Sequence, residues 1–333
     1  MKVITDIRDI ADTYRGSVAA LGNFDGVHGG HKSVIAEARA RASELRAPLS
    51  VVCFEPHPRQ YFRLKDPPFR LSSLHGKTRL LEALGVDVLF ALRFDRDLAE
   101  KSAQDFVFDD LGKKLGLVHV VVGADFRFGK GRDGDMSLLS DMGVDEGFGV
   151  SALNLVKAHK VNNDDEPLSS TKIRAALREG RVGDANALLG RPWAVDGTVM
   201  IGNQRGRTIG FPTANINLGA FLHPALGGYI FRVEILDGPH AGIYGSVGNI
   251  GVRPTFGGDN VVLEAHIFDF DGDIYDSHIY VYFVDYLRPE QKFDGIESLV
   301  AQIEHDSEIA RDTLENWPED DIRKLYVNQE CCK

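Results

Sequence analysis

Apolar runs alternate with helix-period segments through the first half of the chain. Residues 17–21 form a short apolar run that ends at Gly22, and a helical pattern follows from about Gly30 to Leu45. Residues 49–54 read as a second strand, and residues 74–84 as a helix that stops at Gly85. Residues 86–94 form a third strand, 105–115 a helix, 118–122 a fourth strand and 150–156 a fifth. The strands are almost continuously apolar, as strands buried on both faces are. Strands that alternate with helices predict a Rossmann-like α/β domain, a parallel sheet with helices on both faces. In such sheets ligands bind at the carboxyl ends of the strands.

From Val195 onward the pattern changes. Short alternating runs, such as residues 229–236 and 279–284, are separated by turn residues. Asp237-Gly238 and Asp271-Gly272 read as hairpin turns. This pattern predicts a small antiparallel β-barrel. Ile296, Leu299, Val300 and Ile303 recur at helical spacing and predict one closing helix. The boundary is expected near residues 186–192, which gives an α/β domain over 1–186 and an all-β domain over 187–333.

A length of 333 residues fits two domains. Apolar content of 43% and charged content of 26% are those of a folded globular protein, not a disordered one. No apolar run is long enough to span a bilayer, and the polar start lacks an apolar signal core. Three cysteines, Cys53, Cys331 and Cys332, cannot build a disulfide framework. These features predict a cytoplasmic protein without a membrane partner. The net charge of −11 argues against nucleic-acid binding. That charge lies entirely in the second half: residues 1–186 balance 27 basic against 27 acidic groups, while 187–333 carry 11 against 22.

The string from Gly22 to His31, GNFDGVHGGH, follows the first strand and opens the first helix. Its glycines let backbone approach a ligand closely, and a helix amino terminus offers N–H groups to phosphate. His28 and His31, three apart, share one helical face. Ser169-Ser170-Thr171 starts a later helix with Arg174 one turn on, a cation suited to pairing with phosphate. Taken as an isolated string, the hydroxyls are more ordinarily just N-caps, and Arg174 is what shifts the reading toward phosphate.

Together these strings resemble the nucleotidylyl transferases with a His-x-Gly-His signature. The closer likeness is to the amino-terminal half of the bifunctional bacterial FAD synthetases, supported by residues 54–58 (FEPHP) and 123–129 (GADFRFG) at strand ends. The resemblance implies transfer of AMP from ATP to FMN. It implies that Asn23, His28 and His31 serve the ATP phosphates during catalysis. Gly22, Phe24, Asp25 and Gly26 would complete that nucleotide site. Ser169, Ser170, Thr171 and Arg174 would grip the β- and γ-phosphates, and Asp125 and Phe126 would hold the flavin. His57 is assigned either to the flavin or to the ordering of its loop. The FMN phosphate is already anionic, so the reaction needs alignment and charge stabilisation more than a strong base.

Gly129-Lys130-Gly131-Arg132-Asp133-Gly134 also satisfies G-x-G-x-x-G. A dinucleotide fingerprint wants an acidic residue about 20 positions on, and position 154 is Asn154. The dehydrogenase reading is rejected, and a P-loop string is absent.

In the second half, residues 206–215 (GRTIGFPTAN) resemble the riboflavin kinase signature. Thr213 and Asn215, two apart, point to one face of an extended chain, and two neutral oxygens beside ATP phosphates suit Mg²⁺. On spacing alone, a Pro-Thr turn with a capping Asn fits as well. Glu264 and His266 share a face of an otherwise apolar strand. A carboxylate there is either a satisfied core acid or a base; by resemblance Glu264 is the catalytic base, which a ribityl hydroxyl requires before it can attack phosphorus. Gly206 and Arg207 would bind ATP. The string at 287–293 (LRPEQKF) also resembles the family; it reads as the approach to the closing helix, and the resemblance implies a flavin contact for Arg288.

The resemblance covers about residues 16–315. It departs at Gly29, where Leu is usual, at Leu168, where Ile or Val is commoner, and at Asp276, where Gly is usual. It implies a bifunctional flavin-cofactor enzyme that phosphorylates riboflavin to FMN and adenylylates FMN to FAD, with ATP as co-substrate and Mg²⁺ as cofactor. Riboflavin, FMN and ATP are then its small-molecule partners, and oligomeric state is left open. The alternatives are a monofunctional kinase or adenylyltransferase with one weak site, and a non-catalytic flavin carrier or sensor.

Overall fold

The computed structural model describes residues 1–7, 10–154, 168–202, 206, 209–255, 258–317 and 322. One unit draws on residues 1–66 and 77–168, and the other on 67–76 together with 169–325.

In the first unit the order is β1 (Lys2–Ile4), β2 (Val18–Leu21), α1 (Gly29–Leu45), β3 (Leu49–Glu55), α2 (Pro58–Phe62) and α3 (Leu74–Ala83), whose residues up to Gly76 fall in the second unit. Then come β4 (Val88–Arg93), α4 (Arg96–Glu100), α5 (Ala103–Asp105), β5 (His119–Gly123), α6 (Met136–Glu146) and β6 (Gly149–Leu153). The strands form one parallel sheet in the order β1-β4-β3-β2-β5-β6. The expected α/β architecture is therefore present. The order turns at β2, with β3 on one side and β5 on the other, the place where such sheets open a ligand crevice. The three-residue β1 is too short for the apolar pattern to reveal.

The strands are buried because they are apolar on both faces. Val18, Ala19, Val51, Val52, Val120 and Val121 are fully inaccessible. The two buried hydroxyls among them, Ser17 and Ser50, bond to each other at 2.9 Å, and Ser50 also donates to Val18 O at 3.1 Å. The segment expected as an α-helix at 105–115 continues from α5 as a π-helix over Phe106–Lys114. Its buried Asp110 accepts from Lys101 Nζ at 2.7 Å and Lys114 Nζ at 2.6 Å. That pairing keeps a buried carboxylate compensated.

The second unit begins its regular structure with α7 (Ser170–Arg178) and α8 (Val182–Leu189). Its strands are β7 (Ala194–Thr198), β8 (Ala214–Asn217), β9 (Gly227–Ile235), β10 (Gly242–Thr255), β11 (Gly258–Ile267) and β12 (His278–Pro289). They pair antiparallel in the order β7-β12-β9-β10-β11-β8. A bridge between Met200 and Asn215 brings the ends of the sheet together, with Met200 N donating to Asn215 O at 2.8 Å. The result is the expected small barrel, nearly closed.

Alternating positions of the barrel strands, among them Val195, Phe231, Leu263 and Phe283, meet Ile173, Leu177 and Leu189 of α7 and α8 in one core. The closing helix α9 (Ile296–Glu315) lays Ala310 and Leu314 on Ile230, Val247 and Phe268. Arg232 Nη2 donates to Leu314 O at 2.8 Å and Trp317 O at 3.0 Å, placing a cation at the helix carboxyl end.

Of the two expected hairpin turns, Asp237-Gly238 joins the paired strands β9 and β10, and Gly238 has φ +85°. Asp271-Gly272 does not make a hairpin. It lies in the connection from β11 to β12, which pair with other strands and not with each other.

Candidate active sites

In the first unit, the GNFDGVHGGH string leaves the carboxyl end of β2 at the turning point of the sheet. Its backbone is held in an unusual shape: Phe24 has φ +50°, Gly26 +82° and Val27 +42°. Left-handed conformations of a bulky and a β-branched residue cost free energy and concentrate where a loop is shaped for a ligand. Val27 N donates to Phe24 O at 3.3 Å, and Phe24, Asp25, Val27 and His28 are buried.

The loop enters α1 at His28, which holds the N-cap position with extended backbone. His28 and His31 stack with ring centroids 3.8 Å apart and planes inclined by 22°. Phe24 packs on His31 at 5.2 Å. Gly30 makes the stack possible, since a Cβ there would stand 3.1 Å from His28 Cε1. Asn23 Oδ1 is buried and has no hydrogen-bond partner among the described residues. Two imidazoles and the first N–H groups of a 17-residue helix thus meet in one turn, a setting that favours phosphate.

The neighbouring strands add the other expected residues. His57 follows β3 and caps α2, its Nδ1 accepting from Arg59 N at 3.1 Å. The ring therefore orders its own loop. Asp125 and Phe126 follow β5, and Phe126 stacks on Phe128 at 5.7 Å. Gly129–Gly134 is not a nucleotide crossover. It closes on itself through a Phe128–Gly134 bridge, and α6 starts only at Met136, capped by Asp135.

In the second unit, Ser169 N-caps α7, its Oγ accepting from Lys172 N at 3.4 Å. Ser170 and Thr171 occupy the first turn. Arg174 Nε donates to Phe69 O at 2.8 Å, and the guanidinium lies 5.4 Å from the Phe69 ring. Arg207 lies outside the described residues. Gly206 makes a tight turn, with Phe211 N donating to Gly206 O at 2.8 Å, and a Cβ on Gly206 would strike the Phe211 carbonyl.

The pairing of β8 with β11 sets Asn215 opposite Glu264. Asn215 Nδ2 donates to Thr213 O at 3.0 Å and Thr213 Oγ1 at 3.3 Å, while its Oδ1 is buried without a partner among the described residues. Thr213 and Asn215 line a cavity of about 280 Å³ with Asp271, Asp273 and Tyr275. An orphaned amide oxygen beside a hydroxyl, on a cavity wall with carboxylates, is a donor set that fits Mg²⁺. Glu264 is ion-paired with Arg253. His266 donates from Nδ1 to Pro212 O at 2.9 Å, which ties the strand to the segment before Thr213. Arg253 is a residue at this site to which spacing in the sequence gives no role. Arg288 is engaged by Asp306, Nη2 to Oδ2 at 2.8 Å, so its charge anchors α9.

Two family models match the chain: FAD synthetase over residues 10–172 and riboflavin kinase over residues 189–314. A bifunctional riboflavin kinase/FMN adenylyltransferase of Escherichia coli K12 is 39% identical over 313 residues, covering 94% of this chain and 97% of that protein. One of the same description from Pseudomonas fluorescens is 41% identical over 312 residues, covering 93% and 97%. A crystal structure described as a macrolide-efflux protein of Streptococcus pneumoniae matches with TM-score 0.77 and 32% identity, covering 95% of this chain and 99% of that one. Among the described residues here, no helix is long and apolar enough to cross a membrane. Two matched models in series, and relatives aligned along almost their whole length, place this chain in the family of bifunctional riboflavin kinase/FMN adenylyltransferases.

Proposed function

We propose that residues 187–333 phosphorylate riboflavin to FMN and that residues 1–186 then join FMN to AMP, each step consuming one ATP. The observation that carries the kinase assignment is the register of β8 and β11, which sets the Glu264 carboxylate opposite Asn215, a residue of the cavity that Thr213 also lines. In this reading Glu264 takes the proton of the terminal ribityl hydroxyl as its oxygen bonds to the γ-phosphorus. The bond from that phosphorus to the β–γ bridging oxygen breaks, and ADP leaves. Thr213 and Asn215 would hold Mg²⁺, whose charge would offset that of the phosphates. Gly206 gives the close backbone approach that a phosphate needs, and Arg207 would supply a cation.

For adenylylation, an oxygen of the FMN phosphate attacks the α-phosphorus of ATP, and pyrophosphate departs. No proton need be removed from the nucleophile. His28, His31, Asn23 and the opening N–H groups of α1 orient the triphosphate and stabilise the charge that develops on the leaving group. Gly22, Phe24, Asp25 and Gly26 shape the loop that allows this contact. Ser169, Ser170, Thr171 and Arg174 would bind the β- and γ-phosphates, and Asp125 and Phe126 the flavin. His57 holds its loop through the α2 cap. The cytoplasm, where ATP and thiol-reducing conditions coincide, is the proposed location.

Position-specific label tests the division of labour. With ATP labelled at the γ-phosphorus, label should appear in FMN. With ATP labelled at the α-phosphorus, it should appear in FAD and not in FMN. Glu264→Gln should abolish the first transfer and retain the second when FMN is supplied. Loss of both transfers in a folded Glu264→Gln protein would contradict the assignment.

A further inference from the structure

We propose that His75, Asp196 and His278 form a binding site for a divalent transition metal of the zinc type, separate from the groups assigned to either phosphoryl-transfer step. The three residues come from distant parts of the sequence but from one unit: His75 in the opening turn of α3, Asp196 on β7 and His278 on β12. Their ligand atoms all lie within 4.8 Å of one another. The register of β7 on β12 explains the convergence on the barrel side. Asp196 is paired with Tyr280 and Thr198 with His278, so Asp196, His278 and Tyr280 share one face of the ladder.

The spacing suits a metal. Asp196 Oδ2 is 3.1 Å from His278 Nε2 and 3.6 Å from His75 Nδ1. Tetrahedral zinc with bonds of about 2.0–2.1 Å sets its donors about 3.3 Å apart. The two imidazoles meet edge to face, with centroids 4.7 Å apart and planes at 85°, so both direct a nitrogen at one carboxylate oxygen. The other oxygen is held from behind. Ser73 Oγ accepts from Gly76 N at 2.8 Å and donates to Asp196 Oδ1 at 2.6 Å, an outer-shell contact that fixes the carboxylate. Tyr280 Oη hydrogen-bonds His75 Nδ1 at 2.8 Å, a contact that the metal would replace when it binds that nitrogen.

The electrostatics point the same way. Asp196 has a side chain only 5% exposed, yet no Lys or Arg pairs with it among the described residues. A buried carboxylate needs a compensating charge, and a divalent cation between two neutral imidazoles supplies it. The nitrogen donors select against Mg²⁺, which prefers an all-oxygen shell, and favour Zn²⁺ or Co²⁺. Bound there, the metal would tie residues 67–76 to β7 and β12.

The test uses the full-length, untagged chain stripped with chelator, then dialysed against micromolar Co²⁺ or Zn²⁺ with millimolar Mg²⁺ present. One equivalent of metal should remain, and the Co²⁺ form should show the visible bands of a four-coordinate site. His278→Ala and Asp196→Asn should each lose the metal. His75→Ala, at a half-exposed position, should lose it while retaining the wild-type circular dichroism spectrum and riboflavin kinase turnover. No retained metal in the wild-type protein, or an unchanged equivalent in folded His75→Ala, would overturn the proposal.

Discussion

Arg253 and Glu264 are ion-paired between β10 and β11, the guanidinium Nη2 meeting carboxylate oxygen Oε1. Arg253 is in register with Asn260, four residues from Glu264, so the two side chains lie on one face of the ladder and reach along it. The pair fixes the orientation of the carboxylate assigned as the kinase base. Arg253→Ala should therefore lower the riboflavin kinase turnover by up to about 10²-fold, the scale of a misplaced reacting group. FAD formation from supplied FMN should be unchanged, and Arg253→Lys should recover part of the loss. An unaltered kinase rate in Arg253→Ala would show the pair to be incidental to turnover.

The stacked His28 and His31 make the corresponding prediction for the first unit. Removing one preorganised group that stabilises a developing charge costs about 10²–10³ in rate. His31→Ala should lower FMN adenylylation by that order and leave FMN formation at the wild-type rate. Stopped assays with each flavin as the sole acceptor separate the two effects.

Asp276 has φ +61°, a left-handed conformation that Gly adopts without strain and an L-residue does not. Asp276→Gly relieves the strain but adds freedom to the unfolded chain. The first effect is the larger, so the variant should be more stable by about 0.5 kcal/mol. A thermal melt should rise by about 1–2 °C. A fall in the melting temperature would mean that the Asp276 side chain contributes more than its backbone costs.

Acid should weaken the first unit through His119 on β5. Burial, and then the charge of Arg41, hold this imidazole below its ordinary pKa, and its Nε2 lies 2.8 Å from Ser151 Oγ. Its folded-state pKa thus lies below the unfolded value of about 6.5, so the unfolded chain binds more protons in the window just below that pH. Stability contributed by the neutral ring is intact above about pH 6.5 and declines as the pH falls toward the folded value. Urea midpoints at pH 7.5 and 5.5 should differ in the wild-type protein and differ less in His119→Gln.

Much of this architecture is legible because burial writes itself into composition. The parallel strands are apolar on both faces, and the string at 22–31 announces a strand end, a loop and a helix start in one stretch. Paired structure is less visible. Asp271-Gly272 has hairpin chemistry, but the partners of β11 and β12 are chosen by the barrel and not by the turn. The helices at 170–178 and 182–189 join the barrel core, although the change in pattern lies further on. The two departures at Gly29 and Leu168 read separately in sequence, yet a Cβ on Gly29 would come within 2.8 Å of Leu168 Cδ1. One residue's missing side chain accommodates the other's longer one. His75, Asp196 and His278 carry no motif at all, since only the fold brings them together.

The central claim is that one chain carries both steps, and a product time course tests it most directly. The purified protein is given riboflavin, ATP and Mg²⁺, and the flavins are separated by chromatography. FMN should rise first and then give way to FAD, with two ATP consumed for each FAD formed. FMN that accumulates without FAD would contradict the roles of His28 and His31, and no conversion of riboflavin would contradict the role of Glu264.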